Sequence, residues 1–204
     1  MFESLDILLQ RKKQRFICKH GWPDPSPPQH VVQIEHRISP ALNPDELQRL
    51  SRQFTELPEL VSFYSKFGSL RLYSQIDADE SAYYIAGPDE WEALKSSLTG
   101  WIEDLDEDEK SELLPDWISD VVVIGEIPKS GNYFVIPLTD EYMGRVYEFE
   151  HDGFEFIERG KNFVDFLDKL TVVDDELLED ICGHTRYQDS RPDSQWLVEK
   201  YQFG

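Results

Sequence analysis

Apolar residues recur along this chain at two spacings, and the spacing predicts the elements. Phe2, Leu5, Leu9 and Phe16 fall near one face of a helix over about 2–17. Acids open it, and Arg11, Lys12, Lys13 and Arg15 close it, as the helix dipole prefers. Trp22-Pro23-Asp24-Pro25-Ser26-Pro27-Pro28 suits neither a helix nor a central strand and predicts a stiff connector. Val32, Ile34 and Ile38 alternate with polar neighbours, a strand pattern over 30–38. Asn43-Pro44-Asp45-Glu46 supplies an N-cap, a first-turn proline and an acid three residues on, followed by Leu47, Leu50 and Phe54 on one face. Leu57-Pro58 starts the next helix, with Leu60, Phe63, Tyr64 and Phe67 in helical register and Gly68 as its stop. Leu70 to Tyr73 and Ser81 to Ala86 read as strands, and Gly87-Pro88 opens a helix carrying Trp91, Leu94, Leu98 and Ile102.

Strand signals dominate the rest. Val121 to Ile124 and Tyr133 to Ile136 are short, apolar and β-branched or aromatic. Arg145 to Glu150 and Phe154 to Glu158 flank Asp152-Gly153, the pair that a two-residue type I′ turn asks for. That turn sets Phe149 opposite Phe156 and Tyr147 opposite Glu158. Tyr147, Phe149, Phe154 and Phe156 then share a core face beneath a helix bearing Phe163, Phe166, Leu167 and Leu170. Glu148, Glu150 and Glu155 share the opposite face with Val146 and Ile157. A short helix near 176–181 and an irregular tail follow. Helices, then strands, then helices predict an α+β fold with a mainly antiparallel sheet flanked by helices.

Composition adds a constraint on partners. The 204 residues hold 41 acids and 20 bases, a formal net charge of −21. Residues 1–76 are close to neutral, whereas residues 77–120 carry 15 acids opposed only by Lys95 and Lys110. Nucleic acid is an unsuitable partner for such a surface, because phosphate binding needs a basic one. No apolar run approaches the ~20 residues that cross a bilayer, so no membrane partner is expected. The acidic start does not resemble a signal peptide, and two cysteines make no disulfide framework, which together suggest the cytoplasm. Asp104, Asp106, Glu107, Asp108, Glu109, Glu112 and Asp116 are the candidate partner-binding residues. The plain reading of this stretch is a solvated loop kept soluble by repulsion; since a net charge of magnitude ~2–8 serves solubility, the sharper reading is a surface that steers a basic protein.

A search for catalytic chemistry finds none. Asp104, Asp106 and Asp108 imitate the start of a calcium loop, but its sixth position is Glu109 rather than glycine and its twelfth is Pro115. Cys18-Lys19-His20 and Cys182-Gly183-His184 form a zinc set only if the chain ends meet, and neither spacing is that of a common zinc module. No Gly-x-Ser-x-Gly elbow or phosphate loop occurs. No metal or cofactor is therefore expected, and His151-Asp152 is explained by its turn.

Three pieces in order resemble the SUKH superfamily, in its Smi/Knr-type branch. The first is Leu57-Pro58-Glu59-Leu60 through Phe63-Tyr64 to Gly68; the second is Ile124-Gly125-Glu126-Ile127 running into Gly131-Asn132-Tyr133-Phe134. Gly144-Arg145-Val146-Tyr147-Glu148-Phe149 with His151-Asp152 and the Phe163-Val164-Asp165-Phe166-Leu167 helix complete it. Phe67-Gly68 stands where that family often has Asn-Gly. The resemblance implies a single domain over 44–171, with an extension of helix, connector and strand over 1–43 and one of helix and tail over 172–204. It also implies a non-catalytic protein-binding module. In bacteria such domains are associated with immunity to protein toxins, often nucleases; in fungi a relative regulates cell-wall synthesis. A basic toxin is the partner that the charge favours, a cell-wall regulator or scaffold is the alternative, and an enzyme with an unrecognised site is the third. The family's binding residues vary and none is carried over.

Overall fold

A computed structural model describes residues 1–22, 29–139, 141–184, 187, 189 and 195–204. The proline-rich connector expected at 22–28 lies, from Pro23 on, outside the described residues. The helices are α1 (Glu3–Gln10), α2 (Pro44–Gln53), α3 (Pro58–Tyr64), α4 (Trp91–Glu103), α5 (Glu107–Leu113), α6 (Phe163–Thr171) and α7 (Asp175–His184). The strands are β1 (Arg15–Trp22), β2 (His30–Ile38), β3 (Leu70–Gln75), β4 (Tyr83–Ile85) and β5 (Val121–Ile127). The remaining four are β6 (Asn132–Pro137), β7 (Val146–Glu150), β8 (Glu155–Gly160) and β9 (Gln195–Gln202). Among the described residues, the nine strands join one antiparallel sheet in the order β8-β7-β6-β5-β4-β3-β2-β1-β9, so the fold is α+β. Among the described residues, no helix is long and apolar enough to cross a membrane.

The sheet is covered on both faces, and strand alternation sorts the side chains between two cores. Val122, Ile124, Phe134, Ile136 and Val146 enter the larger core with Phe63 of α3, Phe163, Phe166 and Leu167 of α6, and Leu177 and Ile181 of α7. Val121, Val123, Tyr133, Val135, Tyr147 and Phe149 enter a second core with Leu98 of α4 and with Trp117. Burial on both faces explains why β5 and β6 read as unbroken apolar runs. It also corrects the expected cover of the hairpin. Tyr147 and Phe149 enter the core shared with Leu98 of α4 and with Trp117, whose ring packs on Tyr147 and Phe156, with Phe154 and Phe156 partly buried there, while α6 belongs to the core of the opposite face. Val146 and Glu148, expected on an outer face, are therefore fully buried.

Four other local expectations change. The N-terminal helix ends at Gln10, and Phe16 belongs to β1, packed against Tyr73, Tyr187 and Tyr201. Gln14, Phe16, Cys18 and His20 are buried while Arg15 and Lys19 are exposed, a strand period that local helix propensity concealed. The expected irregular tail contains β9, which pairs along β1 from Arg15↔Gln202 to Trp22↔Gln195. Gly68 is no left-handed helix stop: α3 ends four residues earlier, and a Cβ at Gly68 would lie 2.0 Å from the Pro40 carbonyl oxygen. Finally, the acidic stretch forms α5. Asp106 caps it, accepting from the amides of Asp108 and Glu109 at 2.9 Å, while Glu109 accepts from the Asp106 amide.

Candidate functional site

A cavity of about 560 Å³ opens where the β3–β4 loop, the β5–β6 turn, the tip of the β7–β8 hairpin and the end of α7 converge. That volume lies within the ~300–1,000 Å³ typical of ligand sites. Ser81, Lys129, Asn132, Glu150, His151 and Asp152 are among the residues lining it. In the β5–β6 turn, Lys129 and Gly131 take left-handed backbone, with φ of +67° and +88°. A Cβ at Gly131 would meet the His151 ring at 3.0 Å, so glycine here serves both the turn and the approach of the hairpin tip.

The hairpin keeps the predicted register, with Tyr147↔Glu158 and Phe149↔Phe156, but not the predicted turn. A type I′ turn needs positive φ at both Asp152 and Gly153. Neither residue has it; Phe154 does, at +53°. The loop is instead capped by the Glu150 carboxylate, which accepts from the amides of Asp152 at 3.1 Å and Gly153 at 2.7 Å.

Behind the cavity runs a buried polar network. Asn132 Nδ2 donates to Glu148 Oε1 at 2.8 Å, Arg159 Nε donates to Glu148 Oε2 at 2.6 Å, and Arg159 Nη2 donates to Asp180, which also accepts from the Tyr83 hydroxyl. Because the Asn132 amide nitrogen faces a carboxylate, its oxygen must face His151. That oxygen lies 3.1 Å from His151 Nδ1, so Nδ1 carries the hydrogen. His151 Nε2 in turn lies 3.0 Å from Asp152 Oδ1. These links bring a histidine and two carboxylates together at the cavity mouth.

The seven acids selected from the sequence, Asp104, Asp106, Glu107, Asp108, Glu109, Glu112 and Asp116, are all exposed on α5 and its flanks. None lines the cavity. The two regions are nonetheless joined on the surface by Trp101 of α4, 39% exposed, whose ring centre lies 4.9 Å from that of His151. Sequence reasoning missed Ser81, Trp101 and Asn132 as site residues. Trp101 precedes the acidic stretch by two residues, and an exposed tryptophan beside charge is a common interface signal, but its exposure was not legible.

The two Cys-x-His pairs do not assemble a zinc site among the described residues. His20 packs edge-on against Trp196, and His184 lies near Glu148 and Asp180. Burial pushes the Cys18 thiol up to about 12, and burial likewise raises Cys182, whose sulfur donates to the Val198 carbonyl at 2.7 Å. Protonated thiols are poor ligands and nucleophiles. Glu150, His151 and Asp152 are the one described group whose ligand atoms, all within 4.8 Å of one another, have metal-like spacing.

No curated protein matches the chain. The family model described as SMI1 / KNR4 family (SUKH-1) matches residues 41–169, which span α2 through α6 and include the hairpin tip at the cavity. The chain belongs to the SMI1 / KNR4 family, SUKH-1.

Proposed function

We propose that this protein is a non-catalytic, cytoplasmic binding module that holds a basic protein partner against its acidic face, in the manner of an immunity protein that neutralises a toxin by occupying it. The observation that carries this reading is α5 with its flanks: seven exposed carboxylates, with Lys110 as the one basic side chain on that helix. Crowded like charge opposes compact folding, and attraction of an oppositely charged partner is the benefit that offsets it. A nuclease must be basic to hold phosphate, which makes it a fitting partner. The protonated Cys18 and Cys182 thiols agree with a binding role. Family membership agrees equally with a cell-wall-regulator role, so the partner decides between them.

The test begins with capture of the partner from the native host on the full chain, followed by stopped-flow association of the purified pair. Asp104, Glu107, Asp108 and Glu112 are neutralised together to amides, leaving the Asp106–Glu109 cap intact. Association should slow about tenfold at low salt, with less effect on dissociation. The difference should vanish at 1 M salt, where the screening length is ~3 Å. Equal association rates at low salt would reduce the patch to a solubility device.

A further inference from the structure

We infer that the cavity beside His151 receives an arginine side chain of that basic partner. The inference rests on the acidic face being a protein-binding surface and names a specific pocket next to it. Asp79, Glu80, Glu150 and Asp152 line the cavity against one Lys129, whose ammonium already lies 3.4 Å from Glu80. Acidity alone marks no site, but Ser81 adds an independent sign. It lines the cavity at 3% exposure, and its hydroxyl has no hydrogen-bond partner among the described residues. A buried hydroxyl without a partner is costly, and a donor brought by a guest would offset that cost.

Among the described residues the charged groups of the cavity are mostly carboxylates, whose oxygens can accept further hydrogen bonds, and that selects the guest. Guanidinium offers five N–H donors and no acceptor, in a planar fork. Glu150 and Asp152 present oxygens within 4.8 Å of each other, a separation that two arms of one fork can bridge. The Asn132–His151 link holds the imidazole with Nε2 3.0 Å from Asp152 Oδ1, which fixes that carboxylate at the cavity mouth. Trp101, whose ring centre lies 4.9 Å from that of His151, offers an aromatic face beside the cavity for a guanidinium plane or the stem that carries it. Lysine fits less well, because its compact ammonium is more strongly hydrated and cannot span two carboxylates.

The probe is the peptide acetyl-Lys-Lys-Arg-Lys-Lys-amide, titrated into the ¹⁵N-labelled full chain, with a control in which citrulline replaces arginine. The arginine peptide should produce saturable amide shifts at Ser81, Gly131, His151 and Asp152 and at the Trp101 indole. Citrulline should abolish these while leaving shifts over 104–116 in place. Ser81→Ala with Asp152→Asn should weaken the pocket response about threefold or more without moving the α5 response. Shifts over 104–116 with a silent pocket would overturn the arginine inference and leave the acidic-face reading standing. Pocket shifts with a silent α5 would do the reverse. Micromolar zinc chloride saturating Glu150, His151 and Asp152 and blocking the peptide would assign the pocket to a metal and overturn the inference.

Discussion

Arg159 Nε donates to Glu148 Oε2 at 2.6 Å, diagonally across the β7–β8 pair, and so neutralises a carboxylate that is 1% exposed. Two links follow from that contact. Asn132 holds the other Glu148 oxygen and orients His151, while Asp180 holds the far side of the guanidinium and ties α7 to the sheet. Arg159→Met strips the buried Glu148 of its guanidinium partner and leaves it the neutral Asn132 amide as hydrogen-bond donor. The expected loss is toward the low end of about 3–5 kcal/mol, since the Arg159 side chain is 27% exposed. Glu148→Leu combined with Arg159→Met should recover most of it in urea denaturation. Recovery of less than a third would show that Asn132 and Asp180 depend on the charges themselves.

His36 makes stability depend on pH. Its Nδ1 accepts from the Tyr73 amide at 3.2 Å, so Nε2 carries the hydrogen donated to Gln14 Oε1 at 2.7 Å. Burial, followed by the nearby positive charge of Arg11, lowers its pKa from 6.5 to about 4. The unfolded chain therefore binds a proton below pH 6.5 that the folded chain refuses until about pH 4, and stability falls as pH falls through that window. Between pH 6 and 5 the wild type should lose about 1 kcal/mol more than His36→Gln. Parallel pH profiles for the two proteins in urea titrations would contradict this.

Phe149 is fully buried in the core that holds Leu98 of α4 and Trp117, and its ring centre lies 5.3 Å from that of Phe156. Phe149→Ala should lower stability by about 3–5 kcal/mol. A double-mutant cycle then locates its cover. Phe149→Ala and Phe156→Ala should couple, whereas Phe149→Ala and Phe166→Ala, on opposite faces, should add within about 0.5 kcal/mol. Coupling of the second pair would place α6 back over the aromatic face.

The buried Cys18 thiol, pushed up to about 12, should resist alkylation in the native state at pH 8. Iodoacetamide with mass-spectrometric mapping should label Cys182 at most, and both residues once urea unfolds the chain. Rapid native modification of Cys18 would mean that the β1–β9 pair opens locally.

Much of the fold was legible because local signals there agreed with tertiary demand. Asn43-Pro44-Asp45-Glu46 predicted a capping box that forms, with Asn43 Oδ1 accepting from two amides at 3.0 Å. The alternation within β2, the helical spacing of α3, α4 and α6, and the hairpin register were equally readable, since each follows from which residues share a face. The family pattern was carried by the same segments.

Other features are set by what meets what in space. The stretch from Gln14 to His20 has a basic, helix-compatible neighbourhood, and only pairing with β2 and β9 makes it a strand. Glu148 looked like a surface acid, because strand alternation tells which residues share a face but not whether that face is covered. The cavity draws Ser81, Ser130, Asn132 and His151 from positions up to 70 residues apart, and no local pattern records such a meeting. The sequence by itself determined the elements, their faces and the acidic excess, because these depend on neighbours along the chain. Which faces are buried, which charges are paired and where polar groups converge was decided by the tertiary structure, because burial and hydrogen bonding are properties of residues brought together by the sheet.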